Sequence, residues 1–201
     1  LLFSLMFFSI KSLLAQNNSS YKENINFIKG INNAAFGAAS QFQNDPLAHD
    51  NASIGYQALA SNKMGTNNVA IGSKALANNY SGEYNIASGT EALFSNDNGS
   101  YNVAIGLSSL KYNINGSNNV ANGALALYNN ISGDNNIAIG YFSLALNKKG
   151  KNNLASGYQA LFSNDTGNNN IADGYQALYL NQLGSNNIAI GYQAGYFETG
   201  N

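Results

Sequence analysis

Glycine returns through this chain at a fixed stride. Gly37, Gly55, Gly72, Gly89, Gly106, Gly123, Gly140, Gly157, Gly174 and Gly191 close the same kind of segment, and after a first gap of 18 every interval is 17 residues. A second series, Gly65, Gly82, Gly99, Gly116, Gly133, Gly150, Gly167 and Gly184, keeps that stride and halves each unit, which reads G-Y-Q-A-L-x-x-N-x-x-G-x-N-N-I-A-I. A short fixed period marks a solenoid or an array, in which each unit packs on its own copy. Helical units are disfavoured. Helical repeats need roughly 30 residues or more, and a glycine inside a helix costs about 1 kcal/mol.

The segment before the first glycine series carries an apolar residue in every unit (Val69, Ile86, Val103, Val120, Ile137, Leu154, Ile171, Ile188), followed by Ala from Ala70 to Ala189. β-Branched residues beside Ala, closed by Gly, predict a short and tightly packed strand. Leu59, Leu76, Leu93, Leu110, Leu127, Leu144, Leu161 and Leu178 suggest a second short strand or extended segment. Gly and Asn, which tolerate positive φ, supply the corners. Asn recurs in two series, Asn62 to Asn181 and Asn68 to Asn187, which would stack into amide ladders one coil apart. The expected fold is all-β: a parallel β-solenoid, or β-roll, of about ten 17-residue coils, a rod on the order of 45 Å long at a strand spacing of about 4.8 Å. Two buried aliphatics cannot offset the ordering of a whole coil, so a lone coil cannot form and a slender column calls for lateral association.

One position qualifies the core. The residue before each glycine runs Ile71, Ser88, Ile105, Asn122, Ile139, Ser156, Asp173, Ile190, and shares a strand face with the always-apolar position two earlier, opposite Ala. Asp and Asn do not belong in a sealed core. The Ala row is therefore expected inside, and the other face against a partly wet surface such as a subunit contact.

Composition narrows function by exclusion. Charged residues make up 9% of the chain, far below the roughly 25% of a typical soluble domain, and the formal net charge is −1. Binding of nucleic acid or of an anionic membrane through a basic patch is not expected. Lys148, Lys149 and Lys151 read as the dressing of a solvated turn. There is no cysteine, hence no disulfide framework and no thiolate metal site.

The N-terminal "LLFSLMFFSIKSLLAQ" is too short to span a bilayer and resembles a secretory signal lacking its start, with cleavage expected after Ala15. The expected organisation is a truncated signal peptide at 1–15, a polar linker at 16–31, an irregular first coil or cap at 32–54, and β-roll repeats from 55 to 201 that stop in mid-pattern, as a fragment would.

No catalytic, cofactor-binding or metal-binding residue is assigned. The single histidine, His49, lies near the single proline, Pro46, in a stretch that reads as a capping loop. "NDNG" and "NDTG" bring Asp97 and Asp165 into consideration for a cation, but calcium wants six to eight oxygens and an Asx turn explains them better. Tyr56, Tyr141, Tyr158, Tyr175 and Tyr192 follow the repeat glycine and read as aromatics filling space between coils or subunits, or as a stacking stripe for sugar or protein ligands. Sequons such as those at Asn51 and Asn130 would matter only in a eukaryotic secretory pathway.

The segments "NNVAIG" (67–72), "YNVAIG" (101–106) and "NNIAIG" (135–140) resemble the S-V-A-I-G head repeat of trimeric autotransporter adhesins of Gram-negative bacteria, over roughly residues 32 to 195. The resemblance implies a left-handed parallel β-roll, a homotrimer, and attachment to host matrix, protein or glycan at the outer membrane, reached only through a membrane region outside this sequence. The unit departs from that family in being longer and in carrying "GYQAL". Long units of this kind are also similar to repeats in phage- or virus-type fibres, so a structural fibre shaft is the alternative expectation. Ice binding lacks a Thr row, and a polysaccharide-cleaving enzyme lacks a carboxylate cluster.

Overall fold

The computed structural model describes residues 32–41 and 47–198; the expected signal peptide, linker and Pro46 lie outside the described residues. Ten three-residue strands stack in chain order into one parallel sheet, from Ala34–Phe36 and Ala52–Ile54 through Val69–Ile71, Ile86–Ser88, Val103–Ile105, Val120–Asn122, Ile137–Ile139, Leu154–Ser156 and Ile171–Asp173 to Ile188–Ile190. Register follows the repeat: Ala70 pairs with Ala87 and Ala87 with Ala104, and the first step, Ala34 with Ala52, absorbs the 18-residue gap. The described part is thus a parallel β-solenoid with one 17-residue unit per turn, and no helix occurs among the described residues. The span 32–54 contributes the first two strands of that sheet.

From Ala52–Ile54 onward each strand of this sheet buries its middle residue, whereas Ala35 in the first is half-buried. Ala70, Ala87, Ala104, Ala121, Ala138, Ala155 and Ala172 are fully enclosed, and they pack against the Leu59 to Leu178 column in one continuous core. Alanine fits because the opposite wall is only one side chain away, and leucine fills what remains.

The leucine segment is not extended. Leu59, Leu76, Leu93, Leu110, Leu127, Leu144, Leu161 and Leu178 all sit at φ between 49 and 52°, in the left-handed region. The expected second strand is here a run of turns: Ala75 N–H donates to Gly72 O, while Lys74 N–H reaches back to Tyr56 O and Leu76 N–H forward to Ala92 O. Left-handed backbone costs an L-residue roughly 1–2 kcal/mol. Complete burial of the leucine and hydrogen bonds to the rungs on both sides offset that cost. A true second sheet does exist, displaced past the leucine and confined to three rungs: Ser61–Asn62, Asn78–Asn79 and Ser95–Asn96.

Both expected asparagine ladders form, except that the one expected from Asn62 to Asn181 stops at Asn164, whose Oδ1 is buried without a partner, as is that of Asn181. In one, Asn113 Nδ2 donates to Asn96 Oδ1 at 2.7 Å and Asn130 Nδ2 to Asn113 Oδ1 at 2.7 Å. In the other, the Asn119 backbone N–H and Nδ2 both donate to Asn102 Oδ1, at 3.0 and 3.1 Å. The ladders meet at the second glycine series, where the Gly116 carbonyl accepts from Asn102 Nδ2 at 2.9 Å and from Asn113 Nδ2 at 2.8 Å. A Cβ on Gly116 would collide with Asn130 Nδ2, Asn113 Oδ1 and the Gly133 carbonyl, so this corner admits only glycine. Gly72 is fixed for a second reason, since its φ is 127° and a Cβ there would lie 2.7 Å from the Gly89 carbonyl.

Candidate binding surfaces

The flanking residues of each main strand point outward, as alternation requires. Ile71, Ile105, Ile137 and Ile139 are 40 to 45% exposed, and Ile54, Ile86, Ile171, Ile188 and Ile190 are exposed beside them. The result is a flat strip along the rod, two residues wide and largely aliphatic. Ser88, Asn122, Ser156 and Asp173 interrupt it, and Asp173 is the only charged side chain in the two rows.

At the corner after the strand, the rings of Tyr141, Tyr158, Tyr175 and Tyr192 stack with centroids 5.8, 5.0 and 5.2 Å apart. Their faces are turned on one another, so interior rings offer edges and hydroxyls rather than free stacking platforms. A glycan cannot intercalate along this stripe. Gln176 Nε2 donates to Gln159 Oε1 and Gln193 Nε2 to Gln176 Oε1, which forms an amide ladder beside the tyrosines. A second aromatic stack runs Phe162, Tyr179, Tyr196 at 5.1 and 5.0 Å, and Tyr84 stacks on Tyr101. Burial and the neighbouring Tyr196 push the Tyr179 hydroxyl pKa up. These additional stacks were legible as like residues one period apart. Tyr56 stands outside them and is exposed.

One ion pair joins rungs within a half-buried cluster. Lys111 Nζ lies 2.8 Å from Glu91 Oε2 and over the rings of Tyr112 and Tyr128 at 5.3 and 5.8 Å. The hydrogen bond from Lys111 lowers the Glu91 pKa, and the same bond raises that of Lys111. Tyr128 is raised by its hydrogen bond with Tyr112 and by burial.

The remaining sequence candidates are dispersed. His49 Nδ1 meets Asp50 Oδ2 at 2.7 Å in an exposed pair; Asp50 accepts from Asn32 Nδ2 as well, and that bond followed by the one with His49 lowers its pKa. Asp97 and Asp165 are four rungs apart, about 19 Å at the usual spacing, and do not converge. Asp165 instead pairs with Lys148 at 2.9 Å, as Lys151 does with Asp134 at 2.7 Å. Asn96 and Asn164 close their turns by donating to Gly99 O and Gly167 O, as an asparagine turn does. The sequon residues Asn51 and Asn130 are buried with their amides engaged in the ladders, closed to glycosylation in the folded chain. Among the described residues no group of three or more His, Cys, Asp or Glu gathers where a metal could bind, and no helix is long and apolar enough to cross a membrane.

No family model, curated protein or solved structure matches the chain.

Proposed function

We propose that this chain is a non-enzymatic, exported surface segment: an adhesin-like head in which three copies associate side by side and present their outer walls to a host, matrix or other surface. The observation that carries the reading is the aliphatic strip of the ten-strand sheet. A row of half-exposed isoleucines running the length of a rod is the kind of contiguous apolar surface that soluble monomers avoid and interfaces use. A closed threefold ring brings equivalent residues of each copy to one height, so layers of Ile71, Ile105 and Ile139 would alternate with layers of Ser88, Asn122 and Ser156. Charged side chains, dispersed or in isolated pairs, support a scaffold rather than a reaction centre. Export and display at a Gram-negative outer membrane rest on the apolar N-terminal run and on the head-repeat resemblance.

Sedimentation equilibrium of the chain tests the association. Three times the monomer mass is expected, together with dissociation when Ile105 and Ile139 are both replaced by Ser. A monomer at tens of micromolar would overturn the association, and failure of bead-displayed trimer to adhere to any matrix-coated or glycan-coated surface would overturn the adhesive role.

A further inference from the structure

Two columns of side chains bound the aliphatic strip, one at the corner before each main strand and one at the corner after it. The first runs Asn67, Tyr84, Tyr101, Asn118, and then asparagine in every rung from Asn135 to Asn186. The second runs Ser73, Thr90, Leu107, Ala124, and then tyrosine in every rung from Tyr141 to Tyr192. Neither column holds a charged residue over these rungs, so size and hydrogen bonding decide what each can meet.

The first column has a left-handed backbone, with φ of 57° at Asn67, 55° at Tyr84 and 59° at Tyr101. Asparagine tolerates that conformation, so its recurrence there needs no further reason. Tyrosine pays a steric penalty. Tyr84 and Tyr101 stack on each other at 5.0 Å yet stay 47 and 57% exposed. Stacking accounts for the pair but not for the two rungs it occupies. Those are rungs in which the second column carries Thr90 and Leu107 instead of tyrosine. Where the second column turns to tyrosine, the first is asparagine, and from Asn67 to Tyr192 no rung has a ring at both corners.

Size is thus traded between the two edges of one face. They do not touch within a chain, because a three-residue strand of about 10 Å separates them. Copies set side by side around an axis parallel to the rod do bring them together, since the trailing edge of one face meets the leading edge of the next at the same height. Each ring then meets a shorter side chain. In the later rungs the tyrosine edges and hydroxyls face asparagine amides. Asn152 Nδ2 already donates to Asn169 Oδ1, and Asn169 Nδ2 to Asn186 Oδ1, both at 3.2 Å. A primary amide has a second N–H and a second lone pair to offer a neighbouring hydroxyl.

We infer that the two corner columns form the seam between parallel copies of this chain, with the tyrosine of one copy seated against the asparagine, threonine or leucine of the next in the same rung. The seam rests on the side-by-side association proposed above and adds its polarity and register: parallel rods, no axial stagger, and one edge always meeting the other.

Moving one ring tests it. Asn169→Tyr puts a ring at both corners of the Tyr175 rung, in a column that accepts tyrosine at Tyr84. Sedimentation equilibrium is expected to show association weakened about tenfold or more, while circular dichroism still shows the sheet. Adding Tyr175→Asn exchanges the two side chains and is expected to restore association to within about threefold of the unaltered chain. Cysteines check the register, since the chain has none of its own. Asn152→Cys and Tyr158→Cys, carried on separate chains and mixed under oxidising conditions, are expected to yield a disulfide-linked pair. Asn118→Cys mixed with Tyr158→Cys, two rungs or about 10 Å out of register, is not. An unaltered chain that is monomeric at tens of micromolar overturns the seam together with the association. A trimer that Asn169→Tyr leaves unchanged, that the exchange does not rescue, or that links Asn118→Cys as readily as Asn152→Cys overturns the seam alone.

Discussion

Asn113 and Ile139 occupy opposite sides of the wall from those their chemistry would suggest. The asparagine is wholly buried, whereas the isoleucine is 45% exposed. The interior asparagine columns give nearly every amide a partner one rung away: Asn113 receives from Asn130 and gives to Asn96 and Gly116, and the exception is the last step of that column, where Asn164 Oδ1 and Asn181 Oδ1 are buried without a partner. Outside, the isoleucines are left exposed along the strip. Burial in a stacked coil is decided less by polarity than by whether a side chain is completed by its own copy above and below. A polar group satisfied this way avoids the penalty of a buried orphan, and an apolar group on the outer face awaits a partner from elsewhere.

The strongest way to break the interior side is at its glycine corner. Gly116→Ala is expected to cost about 4 kcal/mol or more, because the methyl meets two amides and a backbone carbonyl that cannot yield together. Urea denaturation followed by circular dichroism measures it, and a loss under 1 kcal/mol would mean the ladders are slack. Asn113→Leu comes next, at about 3 kcal/mol by the same measurement, since it orphans Asn96 Oδ1 and removes the acceptor of Asn130 Nδ2.

The outer strip is sharpened by its lone charge. A carboxylate desolvated among its equivalents opposes association, so Asp173→Asn is expected to tighten a trimer by about 1–2 kcal/mol while leaving the unfolding of a dissociated chain unchanged. Sedimentation at graded concentrations reads the difference; unchanged association would place Asp173 outside the contact, and weaker association would mean that its carboxylate is paired there. Ion pairing apart from both regions is the smallest effect. Lys111→Met is expected to cost about 0.5–1 kcal/mol near neutral pH. Glu91 is held below its ordinary 4.5, so its share is present above that value and fades as pH falls through the lowered one. Lys111 is held above its ordinary 10.5, so its share is present below that value and fades as pH rises through the raised one. Denaturation at pH 3, 7 and 11 should therefore show the variant's deficit shrinking at both extremes.

The stride, the alanine interior and the asparagine columns were legible because each is written as one residue type recurring every rung, and the outward strand face because Asn122 and Asp173 stand in it. The backbone of the leucine column was not. Leucine rarely adopts positive φ, so local preference points to an extended segment, and only the demand to turn the chain while burying the side chain overrides it. The tyrosine stripe was visible as a stripe, but whether its rings lay face to face or side by side depends on side-chain angles that spacing does not encode.

The main-chain bonds from rung to rung run along the rod, so a pull applied between its ends loads them in series. The terminal rung would detach first, and its release pays out one repeat of slack, about 55 Å of extended chain, before the next takes the strain. Stretched in an optical trap, such a rod would yield in equal steps, a tether that lengthens under traction and shortens again as each turn winds back onto the one below.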